Sequence, residues 1–264
     1  MKSLVTTTTR RRTERVFLIG VELKSRSAWD VRDSLDELAQ LAETAGVFIH
    51  EIKNHLSTLG LNLQLLAEDF ETPQSPRERR ALERITRLQN ECTRLVEVSN
   101  DFLRFTRVTD LTLRPYDLRK VLEELVDFYE PMARSSNVRV NVFLPADMPP
   151  VHLDPDLMKQ ALLNLMLNAQ QAMPGGGELT LLAAAEGPWL ILHVIDTGPG
   201  IPPEAMENLF KPFFSTKPGG SGLGLPTARK VLEAHGGFLD VQSQPGRGTC
   251  FTLRLPIRSP VIPK

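Results

Sequence analysis

The chain has 264 residues, 41% hydrophobic and 24% charged, which is the balance of one large or two ordinary globular domains. Its 31 basic and 32 acidic side chains leave a net charge of -1, which argues against a surface built wholly to hold a polyanion. Two cysteines, Cys92 and Cys250, are too few for a disulfide framework and lack metal-ligand spacing, and no apolar run approaches the ~18 residues of a membrane span.

In chain order, the first fifteen residues hold five basic and one acidic side chain and a threonine run, and read as a solvated tail. Val16–Leu23 reads as a strand and Asp30 onward as a helix. Leu38, Ala42, Ala45, Ile49, Ile52, Leu56, Leu59, Leu63 and Leu66 then recur at alternating steps of four and three, the seam of a helix that packs at a shallow angle against other helices. Glu71–Pro76 contains two prolines and must turn. A second helix follows, with Leu82, Ile85, Leu88, Cys92, Leu95, Ser99 and Phe102 on one face. Such a hairpin leaves its seam half covered, so a dimeric four-helix bundle completes it.

The periodicity changes after Arg107. Leu111–Tyr116 reads as a short strand, Asp117 as the cap of a helix to about Arg134, and Val138–Phe143 as a strand. Asp154-Pro155 opens a helix that runs to Met173 and stops at three glycines. Strands follow at Leu179–Ala183 and Trp189–Ile195, then a Gly/Pro-rich region over Asp196–Gly224. Pro226 opens a helix that Gly236-Gly237 ends, and strands Phe238–Val241 and Cys250–Leu255 close the chain. The class is α+β: a helical hairpin, then a two-layer α/β sandwich.

Two glycine-rich segments carry the chemistry. Asp196-Thr197-Gly198-Pro199-Gly200 follows an apolar strand, and Gly219-Gly220-Ser221-Gly222-Leu223-Gly224 precedes a helix. Glycines let backbone approach a ligand closely, and a helix N-terminus aims N–H groups at an anion. No GxxxxGK[ST] is present, so this is not a P-loop. On the helix after Pro155, Gln160, Asn164 and Asn168 share one face, while Leu162, Met166, Ala169 and Met173 take the other. Asparagine amides can offer oxygen to a hard cation and N–H to phosphate, whereas a merely solvated face is more simply made from Glu or Lys.

The motifs NLMLNA, DTGPGI, LFKPFFSTK, GSGLGL and GRGT, in that order, resemble the ATP-binding domain of sensor histidine kinases, the Bergerat or GHKL type shared with DNA gyrase and HSP90. FIHEIKNHL then resembles that family's phospho-acceptor box. The resemblance implies a tail and strand/helix start at 1–33, a dimerisation and phosphotransfer hairpin at 34–108, an ATP-binding catalytic domain at 109–258 and a C-terminal tail at 259–264. It implies that His50 is phosphorylated, that Glu51 polarises its imidazole, and that Asn54 assists dephosphorylation of the partner. Asn164 and Asn168 would hold Mg²⁺ and phosphates. Asp196 would accept the adenine amino group, with Gly198 and Gly200 shaping the base pocket and Thr249 a polar contact near it. Lys217 would face phosphate, beneath a loop of Gly220, Gly222, Leu223 and Gly224. ATP and Mg²⁺ are the implied cofactors. The implied partners are a second copy of the chain and the receiver domain of a response regulator, with no nucleic acid and no membrane segment, in the cytoplasm.

Two features depart from that pattern. His55 stands where the family usually has proline, so the helix should be straighter near the acceptor. No sensor module is expected ahead of the hairpin; instead residues 14–46 resemble the opening of HflX-type ribosome-associated GTPases, without a nucleotide motif. The competing expectation is a GHKL-fold ATP-binding regulatory or phosphatase-only protein. Acid-labile, base-stable phosphorylation separates the two.

Overall fold

A computed structural model describes residues 49, 51–106, 108, 111–217 and 220–257. The expected tail, the strand at Val16–Leu23, the helix from Asp30, the GTPase-like stretch 14–46, His50 and the tail 259–264 lie outside the described residues.

Helix α1 (51–68) runs unbroken through His55, as the missing proline allows. Its half-buried positions are Lys53, Leu56, Gly60, Leu63 and Ala67. Helix α2 (Pro76–Thr106) starts at a capping box: the Glu78 N–H donates to Ser75 Oγ at 3.2 Å, and the Glu78 carboxylate accepts the Gln74 N–H at 2.7 Å. That backbone bond, helped by the Ser75 hydroxyl, holds the Glu78 carboxyl below its ordinary pKa. Along α2, Leu82, Ile85, Gln89, Cys92, Val96, Ser99 and Leu103 are buried or half-buried. These steps of three and four carry the hairpin seam, so Leu88 and Leu95, expected in it, lie beside it and are 55% and 47% exposed. Ile52, Leu59 and Leu66 are also exposed, at 36%, 50% and 43%. Each helix therefore has a second apolar column with seven-residue spacing that its own partner leaves uncovered.

The rest is a two-layer sandwich. Strand β1 (Arg114–Tyr116) pairs antiparallel with β3 (Val151–Leu153). Helix α3 (Leu118–Ser135) begins at Asp117, whose carboxylate accepts the Arg119 N–H at 2.9 Å. Strand β2 (Val138–Phe143) has the expected limits. Helix α4 (Pro155–Ala172) begins at Asp154, which accepts from the N–H groups of Asp156 and Leu157. β4 (Gly177–Glu186), β5 (Trp189–Asp196), β6 (Phe238–Gln244) and β7 (Gly248–Pro256) each extend past their expected ends. A short α5 (Pro203–Met206) lies in the Gly/Pro-rich region, and α6 (Gly224–Ala234) starts two residues before Pro226.

The main sheet has the order β2-β4-β5-β7-β6; only the β2–β4 pair is parallel. Odd-numbered positions of β4 and even-numbered positions of β5 turn inward, as strand alternation requires, and meet the apolar stripes of α3, α4 and α6. Leu162, Leu165, Met166, Leu179, Leu181 and Leu253 are fully buried there. The Tyr129 hydroxyl of α3 reaches the Met166 carbonyl of α4 at 3.4 Å, and burial pushes its pKa up to about 12. Val108, just after α2, is buried in this same core.

Candidate active site

Three elements meet at the site: the end of β5, the polar face of α4 and the start of α6. Asp196 closes β5 and is 4% exposed. It accepts the Gly198 N–H at 2.9 Å and the Thr249 N–H. Burial pushes its pKa up, while the two N–H groups and the charge of Lys217 pull it down. A buried carboxylate held by two N–H groups keeps further lone pairs with which it can accept another donor.

Two close backbone approaches frame Asp196. Thr249, its register partner on β7, is buried and its hydroxyl lies 3.0 Å from the Ser243 hydroxyl. Gly248 has φ +91°, and a Cβ there would lie 2.0 Å from the Asp196 carbonyl oxygen. Gly200 has φ +76° and would meet the Gln244 carbonyl oxygen at 2.3 Å. Both positions require glycine. Gly198 folds back over α4, where an added Cβ would lie 3.3 Å from Ala172.

The amides of α4 face the glycine-rich loop. Asn164 Nδ2 donates to the Gly224 carbonyl at 3.1 Å, tying α4 to the start of α6. Leu223, fully buried, caps α6 with no side-chain hydrogen bond, so the first N–H groups of that helix are not met by their cap. Gly222 (φ +67°) accepts the Phe213 N–H at 3.1 Å, and Gly220 donates to the Lys217 carbonyl at 3.2 Å. Lys217 Nζ donates to Asn168 Oδ1 at 2.7 Å, to the Asn168 carbonyl at 3.1 Å and to Gln171 Oε1 at 3.2 Å. The structure thus gathers Asn164, Asn168, Asp196, Gly198, Gly200, Lys217, Gly220, Gly222, Leu223 and Gly224 along β5, α4, α6 and the loops between them, with Thr249 beside them on β7.

Glu51 and Asn54 are exposed on α1, where the Thr58 hydroxyl donates to the Asn54 carbonyl at 3.0 Å. His50 lies outside the described residues. His55 is exposed.

Sequence reasoning missed His235. It is fully buried; its Nδ1 bonds the Val231 carbonyl at 2.7 Å and its Nε2 accepts the Asp154 N–H at 2.9 Å. It therefore links the end of α6 to the cap of α4 through a neutral ring. The only local signal was its place before Gly236-Gly237. Gln171 was missed as well, because it stands one position off the amide face.

Residues 153–259 match the family model described as histidine kinase-, DNA gyrase B-, and HSP90-like ATPase. The chain is 32% identical over 222 residues to the sensor histidine kinase ZraS of Escherichia coli (strain K12), covering 84% of this chain and 47% of that protein. It spans about half the length of such curated relatives. Among solved structures, full-length ShkA in complex with AMPPNP is similar with a TM-score of 0.65 at 28% identity, over 81% of this chain and 45% of that one. Histidine kinase ThkA in complex with response regulator protein TrrA is alike in fold, with a TM-score of 0.61 at 24% identity, over 88% of this chain and 66% of that one. Over most of its length the chain is thus similar to sensor histidine kinases, and residues 153–259 match the ATPase model that histidine kinases share with DNA gyrase B and HSP90.

Proposed function

We propose that the chain phosphorylates itself on His50 with ATP and passes the phosphoryl group to an aspartate of a response regulator. The observation that carries this reading is the cradle itself: a buried acceptor, Asp196, between obligatory glycines, facing asparagine amides and an uncapped helix start. Asp196 would accept the adenine amino group, and the N–H groups at the start of α6 would meet phosphate oxygens. Full-length ShkA, a similar protein, was solved with the ATP analogue AMPPNP.

The donor set fits a hard cation. Asn168 Oδ1 is a neutral hard oxygen, and a cation already rests on it, the Lys217 ammonium. Asn164 and Asn168 would hold Mg²⁺, which when bound supplies charge neutralisation on the phosphates.

In the transfer, a neutral imidazole nitrogen of His50 attacks the γ-phosphorus in line. The N–P bond forms, the bond from the γ-phosphorus to the bridging oxygen breaks, and ADP leaves with that oxygen. Glu51 orients the ring through its other N–H and so stabilises the cation that forms. Positioning and charge balance supply most of the rate. Asn54, one turn from His50, would orient water for dephosphorylation of the partner.

A second copy of the chain is the proposed cover for the exposed columns Ile52, Leu59, Leu66 and Leu88, Leu95. The response regulator partner follows from the chemistry of a phosphohistidine, and ThkA, alike in fold, was solved with such a regulator. Among the described residues, no helix is long and apolar enough to cross a membrane.

The test is incubation with γ-labelled ATP and Mg²⁺. Wild type is expected to take up acid-labile, base-stable label, His50→Gln none, and Asn168→Ala far less. Labelling of His50→Gln at the wild-type level would remove the acceptor assignment.

A further inference from the structure

Lys217 stands out among the cations of the ATPase domain because all three of its N–H bonds are directed into the site. Its acceptors are Asn168 Oδ1 (2.7 Å), the Asn168 carbonyl (3.1 Å) and Gln171 Oε1 (3.2 Å). An ammonium has three donors, so this one is fully satisfied where it sits. Burial disfavours its charge, and the attraction of the Asp196 carboxylate opposes that. Two of the three acceptors belong to one residue, and its Oδ1 is the very oxygen that a divalent cation would take.

We propose that Lys217 is the resident cation of the cradle, holding the Asn168 oxygen before a metal arrives, so that phosphate is received by a positive charge even in the absence of a divalent ion. The proposal rests on the nucleotide-site reading above. Phosphate and ammonium attract at short range, and the low-dielectric wall of α4 strengthens that attraction. The metal and Lys217 therefore overlap in function: each neutralises charge that the other would otherwise carry. Lys217 acts here as a positioning residue for ligand and metal.

The experiment is calorimetric binding of ADP in EDTA, ADP with Mg²⁺, and adenosine, to wild type, Lys217→Met and Lys217→Arg. Loss of hydrogen bonds to a charged group predicts that Lys217→Met weakens metal-free ADP by about tenfold or more. With Mg²⁺ present the same variant should lose less than about threefold, because the metal supplies the missing charge. Adenosine, which has no phosphate, should bind all three proteins alike, and Lys217→Arg should restore most of the metal-free affinity. An equal loss with and without Mg²⁺, no loss at all, or a parallel loss of adenosine binding would overturn the proposal while leaving a nucleotide site in place. Failure of wild type to bind ADP or adenosine in either buffer would instead overturn the nucleotide-site reading, and this proposal with it.

Discussion

The Ser221 hydroxyl donates to the Asp101 carboxylate at 2.7 Å and so fastens the glycine-rich loop of the ATPase domain to the last turns of α2. Two neighbours reinforce the bond. Lys230 of α6 donates to the Phe105 carbonyl at 2.9 Å and lies 4.8 Å from the Phe105 ring centre. Phe213, held at φ +65°, stacks on Phe102 with ring centres 6.2 Å apart. A non-glycine residue in that conformation is strained, and the ring contact is what its surroundings gain from it. Asp101→Ala is expected to speed amide exchange over residues 220–225 while leaving β5 protected, with global stability changed by no more than about 1 kcal/mol. Exchange followed by mass spectrometry checks this; unchanged exchange in the loop would show that the bond holds nothing.

Gly248 gives a sharper result. Its Cβ would collide with the Asp196 carbonyl oxygen, and its φ is left-handed as well. Gly248→Ala should cost at least about 2 kcal/mol and remove nucleotide binding. Gly246 has φ +78° but nothing within 4 Å, so Gly246→Ala should cost only about 1 kcal/mol and leave binding intact. Chemical denaturation with an ADP titration measures both.

His235 makes the fold acid-sensitive. Burial holds its pKa below the ordinary histidine value, outweighing the Val231 carbonyl and Asp154, which favour the charged form. The unfolded chain therefore binds a proton more readily than the folded one. The contribution of His235 is fully present above about pH 6.5, the unfolded value, and is lost as the pH falls from there through the lower folded value. Protonation also breaks the bond from the Asp154 N–H, because Nε2 then donates. The wild-type midpoint of thermal unfolding should fall between pH 7.5 and 5.5. His235→Phe should start lower at pH 7.5, by on the order of 2 kcal/mol, and depend less on pH. A wild-type and a variant profile of equal slope would contradict this.

The uncovered apolar columns predict association. Leu59 and Leu95 are about half exposed and sit outside the seam between α1 and α2. Leu59→Asp combined with Leu95→Asp should leave the helical circular dichroism in place and convert a dimer to a monomer in light scattering, at micromolar concentration. A dimer that survives both changes would place the interface elsewhere.

Much of this was readable one residue at a time. Asp117 and Asp154 announce their helices because a short carboxylate meets the unpaired N–H groups of a first turn, and Pro155 adds a fixed φ. Val138–Phe143 is β-branched and bounded by turns, so its limits follow locally. The ordered glycine and asparagine motifs point to the site by their resemblance to a known ATP-binding pattern.

Other features had no local signature. Strand β3 is three residues long and exists because β1 pairs with it. Leu88 and Leu82 look alike in a heptad, and only the packing of α1 on α2 separates the inner column from the outer one. Gly248 needs to be glycine because Asp196 of another strand crosses it, 52 positions away in sequence register across β5 and β7. Lys217 finds its seat only when its loop folds against α4, and His235 meets the Asp154 N–H only when α4 and α6 lie side by side. Short-range sterics and hydrogen bonding are written in neighbouring residues; burial, charge balance and the choice of partner arise from segments far apart in the chain, and only the folded structure brings those together.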